Sequence, residues 1–148
     1  MFTEYVNDSE TQYWNGHFFE RTSLKALRLR IQLGHEPGDP CVNPSYCADD
    51  DFVVLDLNGI HKVGINLCGC TKAQDLPRQL LCARLFPATV EQPKTAVTFN
   101  CMEFFHILTF ESKASMFEFH NTLSRLMDNF GGHDVPVSLS SVEEFCNG

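Results

Sequence analysis

The sequence predicts a single α+β domain, in which about three helices are packed on one side of a small antiparallel sheet. The sheet consists of a strand at 28–34 and a β-hairpin at 52–67. Two β-rich apolar runs flank Asn58 and Gly59, a dipeptide favoured in two-residue hairpin turns. The 28–34 segment alternates apolar and polar residues, as a half-buried strand does. Apolar residues then recur at helical spacing between 97 and 130, which adds helices to the sheet.

The turn fixes which hairpin residues face one another. With the Asn-Gly pair as the loop, Asp56 faces His61, and the extended register places Cys47 opposite Cys70. The cysteines therefore lie at the open end of the hairpin, and His61 lies beside the turn. At about 3.3 Å per residue, His61 and Cys68 are roughly 23 Å apart. They cannot share a metal ion if this hairpin forms.

Three helices are expected after the hairpin. The Gln-Asp-Leu-Pro segment at 74–77 is typical of a helix start, and that helix would run to about Ala83. A short extended piece and a loop follow at 84–93. The first long helix has its apolar residues at Val97, Cys101, Phe104, Phe105 and Leu108. The second has them at Met116, Phe119, Leu123, Leu126, Met127 and Phe130. Residues 1–13 are predicted to be a ragged end, 14–130 the domain, and 131–148 an irregular tail.

Composition excludes several classes of protein. The chain has 148 residues, of which 43% are hydrophobic and 20% charged, which is typical of a globular domain. Its net charge of −8 argues against a surface that coats nucleic acid without specificity. No apolar run is long enough to cross a membrane, and the first residues are too polar for a secretory signal. We therefore expect an intracellular protein without a membrane partner.

Seven cysteines are the most informative feature of the composition. In a reducing compartment, clustered cysteines bind metal more often than they form disulfides. His35 and Cys41 form one pair, Cys68 and Cys70 form a second pair, and both pairs lie where a strand meets a loop. Zinc takes four nitrogen or sulfur ligands, and Cys3His sets are common in structural sites. The sequence therefore predicts one structural Zn²⁺, with Cys47 as a substitute ligand.

Two other interpretations of these cysteines remain open at this point. They are also compatible with reduced, partly buried thiols beside a flexible loop. Alternatively, Cys47 and Cys70 form a disulfide, because the predicted register places them opposite each other.

The sequence predicts no catalytic residues. Asp56 lies in a strand that begins a hairpin, as one carboxylate does in metal-dependent ribonuclease-H-like nucleases, but no later predicted strand supplies another. A polar pair with His61 on the exposed face is the expected role of Asp56. Cys82 and Cys101 lie on apolar helix faces and are expected in the core. Because there is also no glycine-rich phosphate loop, we expect neither an enzyme nor a small-molecule substrate.

Four basic residues form the one candidate nucleic-acid site, and two of them share a strand face. They are Arg21, Lys25, Arg28 and Arg30. They are suited to contact DNA phosphates, but an ordinary solvated face is the favoured interpretation.

Taken together, five segments resemble one family. They are WNGHFFERTSL, LRLRIQLGH with Cys41 following, DDFVVLDLNGIHKVGINLCGC, RQLLCARLFPAT, and KTAVTFNCMEFFHILTFESKASMFEFHNTLSRLMDN. Their order and content resemble the cysteine-cluster domain of the second CxC type. That domain is associated with KDZ (Kyakuja-Dileera-Zisupton) transposases of fungi. The resemblance covers about residues 14–130.

The resemblance implies a zinc-chelating accessory module that lies N-terminal to a ribonuclease-H-like transposase core. Its histidine and cysteines correspond to His35, Cys41, Cys68 and Cys70, the set that the spacing also selects. Residues 1–13 lack the Cys and His residues that precede the WNG motif in the family, and we expect the long catalytic region of the family to be missing as well. We therefore expect a truncated copy in the nucleus that contacts DNA, the remainder of a transposase, or another copy of itself. A nuclease fragment using Asp56 and a degenerate fragment without function are the alternatives.

Overall fold

The computed structural model describes residues 12–21, 30–36, 39–46 and 52–127. Several predicted features lie outside these ranges: most of the ragged end, Lys25, Arg28, Cys47, Phe130 and the tail at 131–148.

Eight strands and three helices make up the described part of the chain. The strands are β1 (Gln12–Trp14), β2 (Phe19–Arg21), β3 (Arg30–Gln32), β4 (Pro44–Tyr46), β5 (Phe52–Asp56), β6 (Gly59–Cys68), β7 (Leu85–Pro87) and β8 (Thr95–Thr98). The helices are α1 (Leu76–Cys82), α2 (Phe99–Ser112) and α3 (Met116–Met127). Strands β1 and β2 pair with each other, whereas the other six form one sheet in the order β3-β6-β5-β8-β7, with β4 also paired to β6. These elements confirm the predicted α+β class.

The main sheet is mixed rather than wholly antiparallel. The hairpin strands β5 and β6 are antiparallel, as predicted. Strand β3 runs parallel to β6, and β5 runs parallel to β8. Parallel neighbours need a long connection, and the chain passes through β4 and β5 between β3 and β6. This long connection explains why the strand predicted at 28–34 takes the opposite orientation to the one expected.

The sheet is buried on both faces. Phe52 and Val54 of β5 pack in one core cluster with Leu80 of α1. Val53 and Leu55 pack in the other cluster, which includes α2 and α3. A strand that is covered on both faces has a continuous run of apolar residues in its sequence, and β5 has such a run. The helices therefore lie on both faces of the sheet and not on one.

The hairpin turn lies one residue earlier than predicted, so each β5 residue pairs with a partner two positions earlier in β6 than expected. Asp56 pairs with Gly59 rather than with His61, and Leu57 and Asn58 form the turn. Gly59 has φ +142°, and a Cβ at this position would collide with the side chain of Met127. Because the flexible Met127 side chain can move aside, the positive φ is the reason that this position favours glycine.

Helix α1 confirms the helix predicted at 74–83, and the two long helices are also present. Helix α2 begins at Phe99, because the predicted first residue, Val97, belongs to strand β8. Thr98 caps α2, and its hydroxyl accepts a hydrogen bond from the Cys101 backbone N–H at 3.2 Å. None of the three described helices has the length and apolarity needed to cross a bilayer.

Candidate metal centre

Three segments meet at one end of strand β6. His35 follows β3, Cys41 precedes β4, and Cys68 and Cys70 lie at the end of β6 and just beyond it. Strands β3 and β4 both pair with the C-terminal half of β6, so their loops converge there. One donor atom from each of the four residues lies within 4.8 Å of the others. The structure therefore brings together the complete set that the sequence selected.

The distances fit a tetrahedral metal site. The Sγ atoms of Cys41 and Cys70 are 3.8 Å apart, and Cys70 Sγ lies 3.9 Å from His35 Nε2. Zinc–sulfur bonds of about 2.3 Å in a tetrahedron give a sulfur–sulfur edge of about 3.8 Å. A disulfide requires about 2.05 Å between sulfurs, and Cys41, Cys68 and Cys70 are all free thiols in the structure. Cys70 is thus a free thiol, and Cys47 lies outside the described residues.

Glycine at position 34 allows the loop after β3 to approach β6. Gly34 has φ +80°, and a Cβ there would lie 2.6 Å from Cys68 Cβ and 3.0 Å from Gln79 Oε1. The preceding residue, Leu33, is tied to β6 by a backbone hydrogen bond to the Asn66 carbonyl of 2.8 Å. His35 is therefore delivered to the cluster by a loop that only glycine permits.

Asn43 holds the Cys-Gly-Cys segment from the β4 side. The Gly69 N–H donates to the Asn43 carbonyl at 2.9 Å, and Asn43 Nδ2 donates to the Gly69 carbonyl at 2.8 Å. A Cβ on Gly69 would lie 2.9 Å from that Asn43 carbonyl oxygen. Within the segment, the Cys70 N–H points at Cys68 Sγ at 3.5 Å. This N–H···S contact would stabilise a thiolate at Cys68.

Gln79 of α1 holds the segment from the other side, and sequence reasoning missed it. Its Oε1 accepts from the Cys68 N–H at 2.8 Å, and its Nε2 donates to the Cys68 carbonyl at 3.0 Å. Nε2 also donates to the Gln74 carbonyl at 2.6 Å. Only 4% of Gln79 is exposed. The signal in the sequence that could have identified this role is a glutamine at a core-facing position of a short apolar helix, because a buried amide needs hydrogen-bond partners.

A cleft of about 920 Å³ opens beside the cluster, between β3 and α1. Its lining includes His35, Cys68, Cys70, Gln79 and Cys82. The cluster is thus reachable from solvent on this side, as the entry of a metal ion requires. Cys82 is exposed at the surface of α1, which corrects its predicted position in the core.

Of the four basic residues predicted as a nucleic-acid site, only Arg30 has a described side chain. Arg30 is half-buried, its Nε donates to Asn66 Oδ1 at 2.6 Å, and its guanidinium lies 4.8 Å from the centre of the Tyr46 ring. Arg21 ends β2, but its side chain lies outside the description, as do Lys25 and Arg28. Arg30 therefore has a packing role at the metal-site end of the sheet.

Asp56 is a buried structural group rather than half of an exposed polar pair. It is 3% exposed and accepts a 2.6 Å hydrogen bond from the Thr98 hydroxyl. Its predicted partner His61 instead contacts Asn58 Oδ1 at 2.8 Å. Burial lowers the pKa of His61, and the negative charge of Asp56 opposes that shift. Among the described residues, no cluster of three or more potential metal ligands includes Asp56.

The thiol of Cys101 is buried and inert. Burial, together with the charge of Asp56, raises the pKa of this thiol to about 12. Such a thiol is not a nucleophile near neutral pH. This agrees with the core position predicted for it.

The fold and the site define a small α+β domain with a Cys3His cluster that can hold a metal ion. The chain belongs to the family described as "CxC2 like cysteine cluster associated with KDZ transposases", which matches residues 24–131. Comparison with curated proteins and with solved structures yields no match. The protein is therefore a transposase-associated domain with a candidate metal site.

Proposed function

We propose that this chain is a non-catalytic accessory domain of a transposon-derived protein and that it holds one structural zinc ion. The proposed ligands are His35 Nε2 and the sulfurs of Cys41, Cys68 and Cys70. One observation carries this proposal: four donor atoms from three separate segments lie within 4.8 Å of one another. Structural zinc sites take four nitrogen or sulfur donors in a tetrahedron, and a Cys3His set is one of the common combinations.

The donor set favours zinc over other divalent ions. Three thiolates and an imidazole are soft or borderline ligands, which zinc binds well and which magnesium and calcium avoid. Four protein ligands also fill a tetrahedron and leave no position for water or substrate. This supports a structural role and not a catalytic one.

Zinc would join the loop after β3, the loop before β4 and the end of β6. The ligand positions in these loops bury little surface of their own, since His35 is exposed and Cys41 and Cys70 are only partly buried. The free energy of metal binding therefore becomes free energy of folding at this end of the sheet. We expect the apoprotein to lose order here first.

Elemental analysis of the purified chain, combined with thermal melting before and after chelation, tests the zinc site. We expect one zinc per chain and a large fall in Tm on chelation. Cys41→Ser and His35→Ala should lower the zinc content, whereas Cys82→Ser, which removes an exposed thiol outside the cluster, should leave it at one. A metal-free protein that melts cooperatively and is insensitive to chelator would overturn the proposal.

Substitution with Co²⁺ adds a test of geometry. A tetrahedral site gives intense visible d–d absorption, and bound thiolates add sulfur-to-cobalt charge-transfer bands in the near ultraviolet. Cys41→Ser should weaken the charge-transfer bands, and Cys82→Ser should not. Equal spectra from both variants would argue against Cys41 as a ligand.

We further propose that the domain acts in the nucleus and assists contacts with DNA or with the transposase core. The association of the family with KDZ transposases supports this role. The basic residues Arg21, Lys25 and Arg28 are the candidate DNA contacts, because Arg30 is already engaged with Asn66 and Tyr46. The net charge of −8 restricts any such contact to a small part of the surface.

Fluorescence anisotropy with duplex DNA over a range of salt concentrations tests the DNA contact. Replacing the three candidate residues with alanine should reduce the slope of log affinity against log salt by about 2 to 3. The matched control removes three exposed lysines elsewhere, Lys62, Lys94 and Lys113, and has the same net charge. If both triple variants bind alike, the specific basic face is wrong and the transposase core becomes the expected partner.

A further inference from the structure

Helix α2 has an inner apolar face and an outer apolar stripe. The inner face packs Cys101, Phe105 and Leu108 against the sheet and α3. On the outside, Phe99 is 41% and Phe110 is 75% exposed. Large apolar side chains grouped on one helix face mark an interaction surface more often than scattered ones do.

The outer stripe consists of four residues with symmetric spacing: Phe99, Glu103, His106 and Phe110. The intervals between them are four, three and four residues. With 3.6 residues per turn, all four lie within an arc of about 60° and span about 16 Å along the helix. Glu103 and His106 are both exposed, and the His106 ring contacts the Phe110 ring at 4.9 Å between centroids.

We propose that this outer stripe pairs with the same stripe of a second copy, with the two α2 helices antiparallel around a two-fold axis. In that arrangement Phe99 lies opposite Phe110 of the second copy. Glu103 lies opposite His106 of the second copy, and each imidazole N–H can donate to a facing carboxylate. Every group on the stripe then meets a complementary group, and each contact occurs twice.

The symmetric spacing is the reason to choose a second copy as the occupant. A two-fold interface uses the same patch on both chains, so the patch must complement itself when reversed. The stripe meets that condition, since its ends are both phenylalanine and its middle pairs an acid with an imidazole. A parallel arrangement would place the two carboxylates together, which is unfavourable. Phe104 and Ile107, at 49% and 56% exposure, extend the apolar surface beside the stripe.

Analytical ultracentrifugation of the purified full chain over a concentration series tests the pairing. We expect a reversible species of twice the chain mass of 16.8 kDa. Phe110→Asp should raise the dimer dissociation constant more than about tenfold. Val90→Asp is the matched control, because Val90 is 74% exposed and lies in the β7–β8 loop. A monomer at all concentrations, or equal effects of the two variants, would overturn the proposal.

A charge exchange tests the antiparallel register. His106→Glu should weaken the dimer, because two carboxylates then face each other at both symmetry-related positions. Adding Glu103→Lys to that variant should restore it, since each new lysine faces a new glutamate. If the double variant stays as weak as the single one, the register is wrong. The zinc content and the Tm of the monomer should not change in any of these variants. The dimer proposal can therefore fail or succeed independently of the zinc proposal.

Discussion

The side-chain amide of Gln79 and the backbone of Cys68 are joined by a pair of reciprocal hydrogen bonds. The amide oxygen accepts from the Cys68 N–H at 2.8 Å, and the amide nitrogen donates to the Cys68 carbonyl at 3.0 Å. Both partners are buried, with 4% of Gln79 and 7% of Cys68 exposed. Helix α1 thus completes the backbone pairing of β6 at the position where the proposed metal ligands begin.

Gln79→Ala should weaken both folding and metal binding. It would leave the N–H and carbonyl of Cys68 buried without partners, which costs about 2–4 kcal/mol in the free energy of unfolding. Loss of a group that orients a ligand also lowers metal affinity by about 10- to 100-fold. Denaturant unfolding and chelator competition measure the two effects. Arg78→Ala, at the exposed neighbouring position, should change neither substantially.

Gly34→Ala should be more harmful than Gly16→Ala. Both glycines have positive φ, +80° at Gly34 and +98° at Gly16, so both variants carry backbone strain. Only at Gly34 would the new methyl group collide with another atom, 2.6 Å from Cys68 Cβ, whereas Gly16 faces open space. We expect an additional loss of about 1–3 kcal/mol for Gly34→Ala. Equal unfolding free energies in the two variants would show that the close approach to Cys68 is unimportant.

The membership of the cluster could be predicted from the sequence, because spacing alone limits which loops can meet. His35, Cys41, Cys68 and Cys70 each stand beside a strand end, and such positions gather at one edge of a sheet. The residues that orient them could not be predicted. The side chain of Gln79 binds the backbone of Cys68, which is eleven residues away in the sequence, and no local sequence pattern predicts such a contact.

Tertiary contacts also decided the parts of the fold that differ from prediction. Val97 fits the helical spacing of α2, yet it lies in β8 because the edge of β5 is available for pairing. The turn beside Asp56 forms one residue earlier than the Asn-Gly preference predicts, and Gly59 instead begins β6 where Met127 of α3 packs. In both cases the local preference is weaker than burial against an element that is distant in sequence.

Thr98→Val should destabilise the protein more than its small change in shape suggests. The Thr98 hydroxyl donates to the buried Asp56 carboxylate at 2.6 Å and accepts from the Cys101 N–H as the cap of α2. Valine keeps the volume but removes both hydrogen bonds, at a cost of about 2–4 kcal/mol. Thr98→Ser keeps the hydroxyl and should retain most of the stability. If urea unfolding shows the valine and serine variants to be equally stable, the hydroxyl contributes little.

His120 is buried on α3 with 5% exposure, and neither of its ring nitrogens has a hydrogen-bond partner among the residues that the structure describes. Burial lowers the pKa of His120 from its ordinary value of 6.5. As the pH falls below 6.5, His120 becomes protonated in the unfolded chain but stays neutral in the folded chain. Protonation therefore stabilises the unfolded state, and the free energy of unfolding decreases. The fold favours the neutral imidazole. The contribution of His120 to the free energy of unfolding is therefore fully present only when the pH is above the pKa of the unfolded state.

His120→Leu should therefore remove part of the loss of stability in acid. Urea unfolding of the wild type and the variant at about pH 7.5 and about pH 5.5 measures this loss. Acid also protonates metal ligands in both proteins, so the informative quantity is the difference between them. That difference should grow in favour of the variant as the pH falls, whereas the exposed-site control His17→Leu should keep the wild-type pH dependence. A constant difference across the pH range would mean that His120 does not remain neutral in the folded protein.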